Sequence, residues 1–210
     1  MRTIWRWLIW GGGIFGAISL LLYLFVFDVW QFDPGNDPQL GASALPALKP
    51  QDKILLRRGS TPRYGELARC QHPLAPERWV IGRVFGERGD RVEVTDSLIT
   101  TNGKGLGASH GCPKMVVPHP ITQNLVTMNC GYAETGAWSF EYLVAPENQS
   151  GGTHAATVEA GKVFLVSDNR FMHQDSRDFG QVDASTCLHV VYRLWGESFT
   201  DASRRFTILW

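Results

Sequence analysis

Trp7 to Phe27 is a run of 21 residues without a single charge. As an α-helix such a run is about 31 Å long, just enough to cross the hydrocarbon core of a bilayer. It constrains the rest of the chain to lie on one side of a membrane. Arg2 and Arg6 precede the run, whereas Asp28, Asp33 and Asp37 follow it, so the positive-inside rule puts the N-terminus in the cytoplasm. Trp5, Trp7 and Trp10 at one end and Trp30 at the other suit the two interfaces, although Gly11-Gly12-Gly13 weakens the helix. The expected division is a cytoplasmic stretch 1–6, a transmembrane anchor 7–27, a linker 28–39 rich in Asp, Pro and Gly, and an exported domain 40–210. The rival is a cleaved signal peptide. The apolar run is too long for one, and the small-x-small tripeptide Ala42-Ser43-Ala44 lies too far beyond it.

The 20 basic and 20 acidic residues balance, and Lys and Arg never run longer than a pair. A nucleic-acid partner held by bulk charge is therefore not expected. The four cysteines, Cys70, Cys112, Cys130 and Cys187, sit in an oxidising compartment on this topology. They allow three full pairings, of which a Cys112–Cys130 staple around Pro113, Pro118 and Pro120 is the first choice. His110, Cys112, His119 and Cys130 have the residue types of a zinc site but no tight CxxC spacing, so neither metal nor cofactor is expected.

Strands separated by turns account for the exported part. Ile54–Leu56, Glu66–Cys70, Trp79–Gly86, Arg91–Val94, Ser97–Thr101, Lys162–Ser167 and Leu188–Trp195 are β-prone runs, and Asn102-Gly103 is a hairpin signal. About 105–161 the composition turns to Gly, Pro, Ser, Thr and Asn, which predicts a loop-rich insertion with a few short strands. With no repeat and no long amphipathic helix after the anchor, the fold class is mainly β. Small residues before Pro46 place Ser43 in an irregular loop. From Val163 to Val182 a strand delivers a dense polar loop, Ser167-Asp168-Asn169-Arg170 and then Asp175-Ser176-Arg177, whose charges need partners wherever they are buried.

Four blocks, in order, resemble the type I signal peptidases, membrane-anchored serine proteases. Ser43-Ala44-Leu45-Pro46 with Leu48 and Asp52-Lys53-Ile54-Leu55 is similar to the segment carrying the family's nucleophilic Ser. Tyr64-Gly65-Glu66-Leu67 is similar to a strand start, and Arg83-Val84-Phe85-Gly86-Glu87-Arg88-Gly89-Asp90-Arg91-Val92 to the block that follows the family's Lys. Ser167 to Arg170 with Asp175 to Arg177 and Gly180 is similar to its most specific block, continued by Val182 and Arg193-Leu194-Trp195-Gly196. The resemblance implies a coiled antiparallel β-sheet domain on one N-terminal transmembrane helix, located at the outer face of a bacterial inner membrane with its domain in the periplasm. Its chemistry would be a Ser hydroxyl, activated by a neutral Lys, attacking the carbonyl after a small-x-small sequence of an exported protein.

The departures fall on that chemistry. Gly82 stands where the family has its Lys, Gly41 where many members have an oxyanion-hole hydroxyl, and Ala44 where the Met follows the nucleophile. His173 occupies a position where bacterial members often carry a Ser, with Asp175 close by in sequence, so a Ser43-His173-Asp175 relay is one way to replace the missing base. Two functions follow. One is an endopeptidase processing exported proteins by signal-peptide or pilin cleavage. The other is a catalytically inactive pseudo-peptidase, a binding or scaffold subunit of a membrane complex, for which an extended peptide on a strand edge serves equally well.

Overall fold

The computed structural model describes residues 2–95, 98–136, 138–146 and 152–209, with the side chains of 2–6, 8, 24 and 107–110 left aside. Helix α1 (Arg2–Phe25) takes up most of the uncharged run. Trp7, Ile9, Phe15, Leu20, Leu21 and Phe25 on it are all exposed. Among the described residues no helix is long and apolar enough to cross a membrane.

The chain then enters β1 (Phe27–Gln31), antiparallel to β2 (Lys53–Arg57), with Phe27 opposite Arg57 and Gln31 opposite Lys53. The linker expected at 28–39 is thus partly a strand, because Phe27, Val29 and Trp30 are β-formers with a partner edge to pair. The rest of that stretch leads into a short helix, α2 (Pro38–Ser43). Asp37 caps it, its Oδ1 accepting from the Leu40 N–H at 3.1 Å, and Pro38 suits the first turn, where its missing N–H costs nothing. Ser43 is therefore the last residue of a helix and not part of an irregular loop.

The remaining elements are β3 (Leu67–His72), β4 (Ala75–Gly86), β5 (Arg91–Val94), β6 (Ile99–Thr101), β7 (Lys104–Gly105), β8 (Gly107–Pro118), β9 (Leu125–Thr135), β10 (Trp138–Val144), β11 (His154–Thr157), β12 (Lys162–Val166), α3 (Ser176–Phe179), β13 (Val182–Asp183), β14 (Leu188–Trp195) and β15 (Thr207–Ile208). The fold is mainly β and antiparallel. Among the described residues the strands make one sheet in the order β1-β2-β14-β3-β4-β12-β13, with β15 on β14, a second in the order β10-β9-β8, and a third in the order β11-β5-β6-β7. Strand β2 alternates as a half-buried strand must, with Ile54 and Leu56 inward, while Val163 to Val166 of β12 are all buried. Asn102 and Gly103, both at positive φ, turn β6 into β7 as their sequence predicts. Of the expected strand at 97–101, Ser97 lies outside the described residues.

The segment about 105–161 is more regular than its composition implies. β8, β9 and β10 have 12, 11 and 7 residues and form a sheet of their own. Register shifts between Ala108 and Gly111 and between Cys112 and Met115 break the two-residue alternation, which is why the strands are hard to see in the sequence. This sheet packs on α2, through a cluster of Ala42, Val117, Met128, Leu143 and Met172. A larger cluster joins Leu40, Ala44 and Leu48 to Phe32, Ile54, Leu56, Leu67, Ile81 and Val190 of the main sheet. The segment around Ser43 is accordingly held between the two sheets.

Both disulfides form. Cys112 pairs with Cys130 directly across β8 and β9, and Cys70 on β3 pairs with Cys187, 117 residues away. With both cysteines oxidised, a zinc site using Cys112 and Cys130 is ruled out. A crosslink limits the unfolded chain more when it closes a longer loop, and chain-entropy reasoning gives about 3 kcal/mol for a loop the size of the Cys112–Cys130 one and about 4.7 kcal/mol for one near that of Cys70–Cys187. Denaturant unfolding of the two double Cys→Ser variants is expected to show the greater loss for Cys70 and Cys187. Equal losses would mean the unfolded chain is already constrained elsewhere.

Candidate functional site

Ser43 is fully buried. Its Oγ donates to the Leu40 carbonyl at 3.0 Å, within its own helix, and among the described residues no hydrogen bond joins it to a titratable side chain. The backbone around it is held by the polar loop after β12. Asn169 donates its N–H to the Ser43 carbonyl at 3.1 Å and its Nδ2 to the Ala42 carbonyl at 3.0 Å, while its Oδ1 accepts from the Met172 N–H at 2.9 Å. Asn169 is therefore the contact between the candidate nucleophile and the loop. Sequence reasoning quoted it but gave it no role; its place between two charged neighbours was the available signal.

On either side of Asn169 sit charges that bind to strands. Asp168 accepts from Arg83 Nε at 2.8 Å through Oδ1, and its carbonyl accepts from the Leu143 N–H at 2.8 Å. Arg83 reaches the Gly65 carbonyl at 3.0 Å and lies over the Phe140 ring at 3.8 Å. Burial pushes the Asp168 carboxyl above the ordinary range, and the Arg83 and Arg170 guanidiniums only partly pull it back. Burial likewise lowers Arg170 to about 10, although Asp168 opposes this, and its guanidinium covers the Tyr142 ring at 4.4 Å.

Gly82, expected from the resemblance to stand where the family has its Lys, is closely packed. A Cβ on Gly82 would come within 3.2 Å of the Leu165 Cβ and of the Val166 carbonyl oxygen, closer than side chains ordinarily pack. Strand β12 lies close against Gly82, so a larger residue there would have to push Leu165 and the Val166 backbone aside.

His173 and Asp175, expected to form a relay with Ser43, have other partners. The His173 Nδ1 pairs with Asp178 at 2.8 Å, and its carbonyl accepts from Gln39 of α2 at 2.8 Å. Asp175 is fully buried and caps α3: its oxygens accept from the N–H groups of Ser167 and Arg177 and from Arg177 Nε and Nη2 at 2.7–3.0 Å. Its own N–H donates to Asp178, completing a reciprocal capping box. Polar atoms of His173, Asp175 and Asp178 lie within 4.8 Å of one another, a spacing a cation could use, but those carboxylates are already engaged by N–H donors. Of the charges in this loop, Asp175 pairs with Arg177, and the Arg170 carbonyl accepts from Arg177 Nη1 at 3.2 Å.

Burial pushes the Asp175 carboxyl up, but the hydrogen bonds and charge of Arg177 and the Ser167 N–H outweigh it and hold the group below its ordinary value. The folded state thus binds this proton less readily than the unfolded chain does. The stabilisation is complete above the unfolded carboxyl's range near 4 and is lost as pH falls through the lower folded value. Asp175→Ala leaves Arg177 uncompensated and is expected to cost about 3–5 kcal/mol at neutral pH. Urea unfolding at pH 7 and at about pH 3 checks this, and the penalty must shrink on the acid side.

The sequence has counterparts among known proteins. The family model "Signal peptidase, peptidase S26" matches residues 12–195. Signal peptidase I V of Bacillus subtilis (strain 168) is 26% identical over 179 residues, covering 84% of this chain and 92% of that protein. The matched span takes in both Ser43 and the polar loop that holds it, and the chain belongs to the signal peptidase, peptidase S26, family.

Proposed function

We propose that this protein is a signal-peptidase-like subunit that binds exported polypeptides at the outer face of the inner membrane without cutting them. The observation that carries the proposal is the bond from Ser43 Oγ to the Leu40 carbonyl, in a buried helix end where, among the described residues, no hydrogen bond joins the hydroxyl to a titratable side chain. A hydroxyl attacks a peptide only when a base within hydrogen-bond reach takes its proton. The family's base has become Gly82, and its room is filled. A cavity of about 440 Å³, lined by Gly41, Ala42, Leu45, Met115, Val117 and Pro118 among others, adjoins α2 and is apolar enough for a hydrophobic peptide.

Membrane attachment through α1 belongs to the same proposal. From Ile9 to Tyr23 every residue of the helix is exposed, with apolar side chains on all its faces, a distribution that needs lipid or protein around it. With the N-terminus in the cytoplasm, the domain lies in the periplasm, where both disulfides persist. Further subunits of a membrane complex are its natural partners.

The endopeptidase reading keeps one observation in its favour. Ser43 is retained, and His173 lies in the loop that holds it, with its carbonyl on Gln39 of the same helix. Activity would require His173 to leave Asp178 and α2 to open.

A small-x-small preprotein incubated in detergent with wild type, Ser43→Ala and His173→Ala, from acid to mildly alkaline pH, separates the two. The expected result is no cleavage by any of them under conditions where an active family member cuts, and equal capture of the preprotein by wild type and Ser43→Ala. Cleavage that disappears in both variants overturns the binding reading. Restoring the family residue is not expected to rescue turnover: Gly82→Lys forces β12 aside at a cost of about 1–3 kcal/mol, read as a lower denaturant midpoint.

A further inference from the structure

Arg69 on β3 is 7% exposed and makes no hydrogen bond and no ion pair among the described residues; its Nε is buried with no partner. Its guanidinium carbon lies 4.0 Å from the centre of the Trp79 ring on β4 and 5.0 Å from that of Trp30 on β1. The two indoles therefore cover the cation, while its N–H fork, which points outward in the guanidinium plane, has no acceptor. Of the other buried arginines, Arg83 has Asp168, and Arg193 has Asp52 and the Ala47 carbonyl through Nη1 although its Nε, like that of Arg69, has no partner. Asp28, whose charge acts on Arg69, pairs with Arg58. Cation–π contacts recover only part of what burying an unpaired charge costs. A side chain in this state is what an anion site looks like before its ligand arrives.

The place of this box in the fold identifies the ligand. Arg69 is paired in register with Ile81, and Trp79 is three residues before Gly82 on the same strand. Helix α2 runs along that strand: Asp37 at its start pairs with Arg78, and Leu40 packs in one cluster with Ile81, against which Trp30 also lies. α2, which ends at Ser43, and β4, which carries Trp79, thus lie side by side, and a polypeptide bound along them brings a side chain to Arg69. We propose that Arg69, between Trp30 and Trp79, binds the carboxylate of an Asp or Glu side chain in the bound polypeptide. The site rests on the peptide-binding reading for its occupant, but not for its preference for anions.

The test uses the full chain in detergent and a set of labelled small-x-small peptides in which one Glu is moved stepwise upstream of the small residues, each paired with its Gln isostere. Anisotropy titrations are expected to give at least tenfold tighter binding for Glu than for Gln at one position, and no difference in Arg69→Met. Arg69→Met is also expected to unfold at the same temperature as wild type or higher, because an unpaired buried cation has been replaced by an apolar chain of similar length. No Glu preference at any position, a preference that survives Arg69→Met, or a large fall in the unfolding temperature of that variant each overturns the proposal. Acetate and inorganic phosphate, titrated against the unfolding temperature of both proteins, separate the two readings. If no peptide binds yet these anions stabilise wild type alone, the anion site stands and its peptide occupant falls. If Arg69-dependent binding appears instead on vesicles containing anionic phospholipid, the occupant is a headgroup and the peptide assignment is overturned.

Discussion

Arg83 and Asp168 meet at 2.8 Å with side chains that are each 2% exposed, and the rest of the site is built outward from that pair. Burying both charges removes them from water at a cost of several kcal/mol each, which only close contact and further hydrogen bonds offset. Arg83 finds the Gly65 carbonyl and the Phe140 ring, so one guanidinium binds β4, the approach to β3 and β10. Asp168 fixes the end of β12 against Leu143. With its neighbour so placed, Asn169 can reach the Ser43 and Ala42 carbonyls, and α2 is held against both sheets. A loss of either charge would leave the other stranded, which makes the pair a condition for the geometry of Ser43 and not one contact among many.

The same dependence explains the second polar knot. Asp175 satisfies the Ser167 N–H, the start of α3 and the Arg177 guanidinium at once, and Ser176 takes the Leu165 N–H at 2.9 Å. These bonds close the loop back on β12, whose Leu165 and Val166 occupy the room that Gly82 leaves. The absence of a side chain at 82 is thus used by the packing. The neighbouring backbone and the Leu165 side chain lie where a Cβ at 82 would need room.

Much of this was legible in the sequence. The uncharged run, the strands from Glu66 to Val94, the Asn102-Gly103 turn and the Cys112–Cys130 staple follow from local pattern, and the polar loop was recognisable by its density of charge. What escaped depends on partners distant in sequence. α2 needs Asp37 as its cap and the β8–β10 sheet as its cover, and its Gly-Ala-Ser composition carries no helical signal of its own. β1 exists because β2 offers it an edge. His173 could be put near Ser43 by alignment, but not its choice of Asp178, which is decided by α3 turning that carboxylate towards it. Arg69 lies within the expected strand Glu66–Cys70, and only the assembled sheet brings the Trp30 and Trp79 rings to its guanidinium.

Retention of Ser43 does not require catalysis. At the end of a buried helix the last carbonyls lack intrahelical N–H donors, and a carbonyl shut away from water without one costs about 1–3 kcal/mol. The Ser43 hydroxyl supplies a donor to the Leu40 carbonyl, which also receives the Ala44 N–H at 3.3 Å, a long bond. A hydroxyl three residues on has the reach for this, and Ala at 43 would give it up. The Ser43 hydroxyl completes a helix end, and the same atom cannot also attack a peptide while that bond stands. That structural role is sufficient to keep a Ser at this position, so its presence alone says little about turnover. What separates the two roles is access: a nucleophile must meet a substrate carbonyl, and Ser43 is sealed beneath Asn169 and the Ala42–Val117–Met128 cluster.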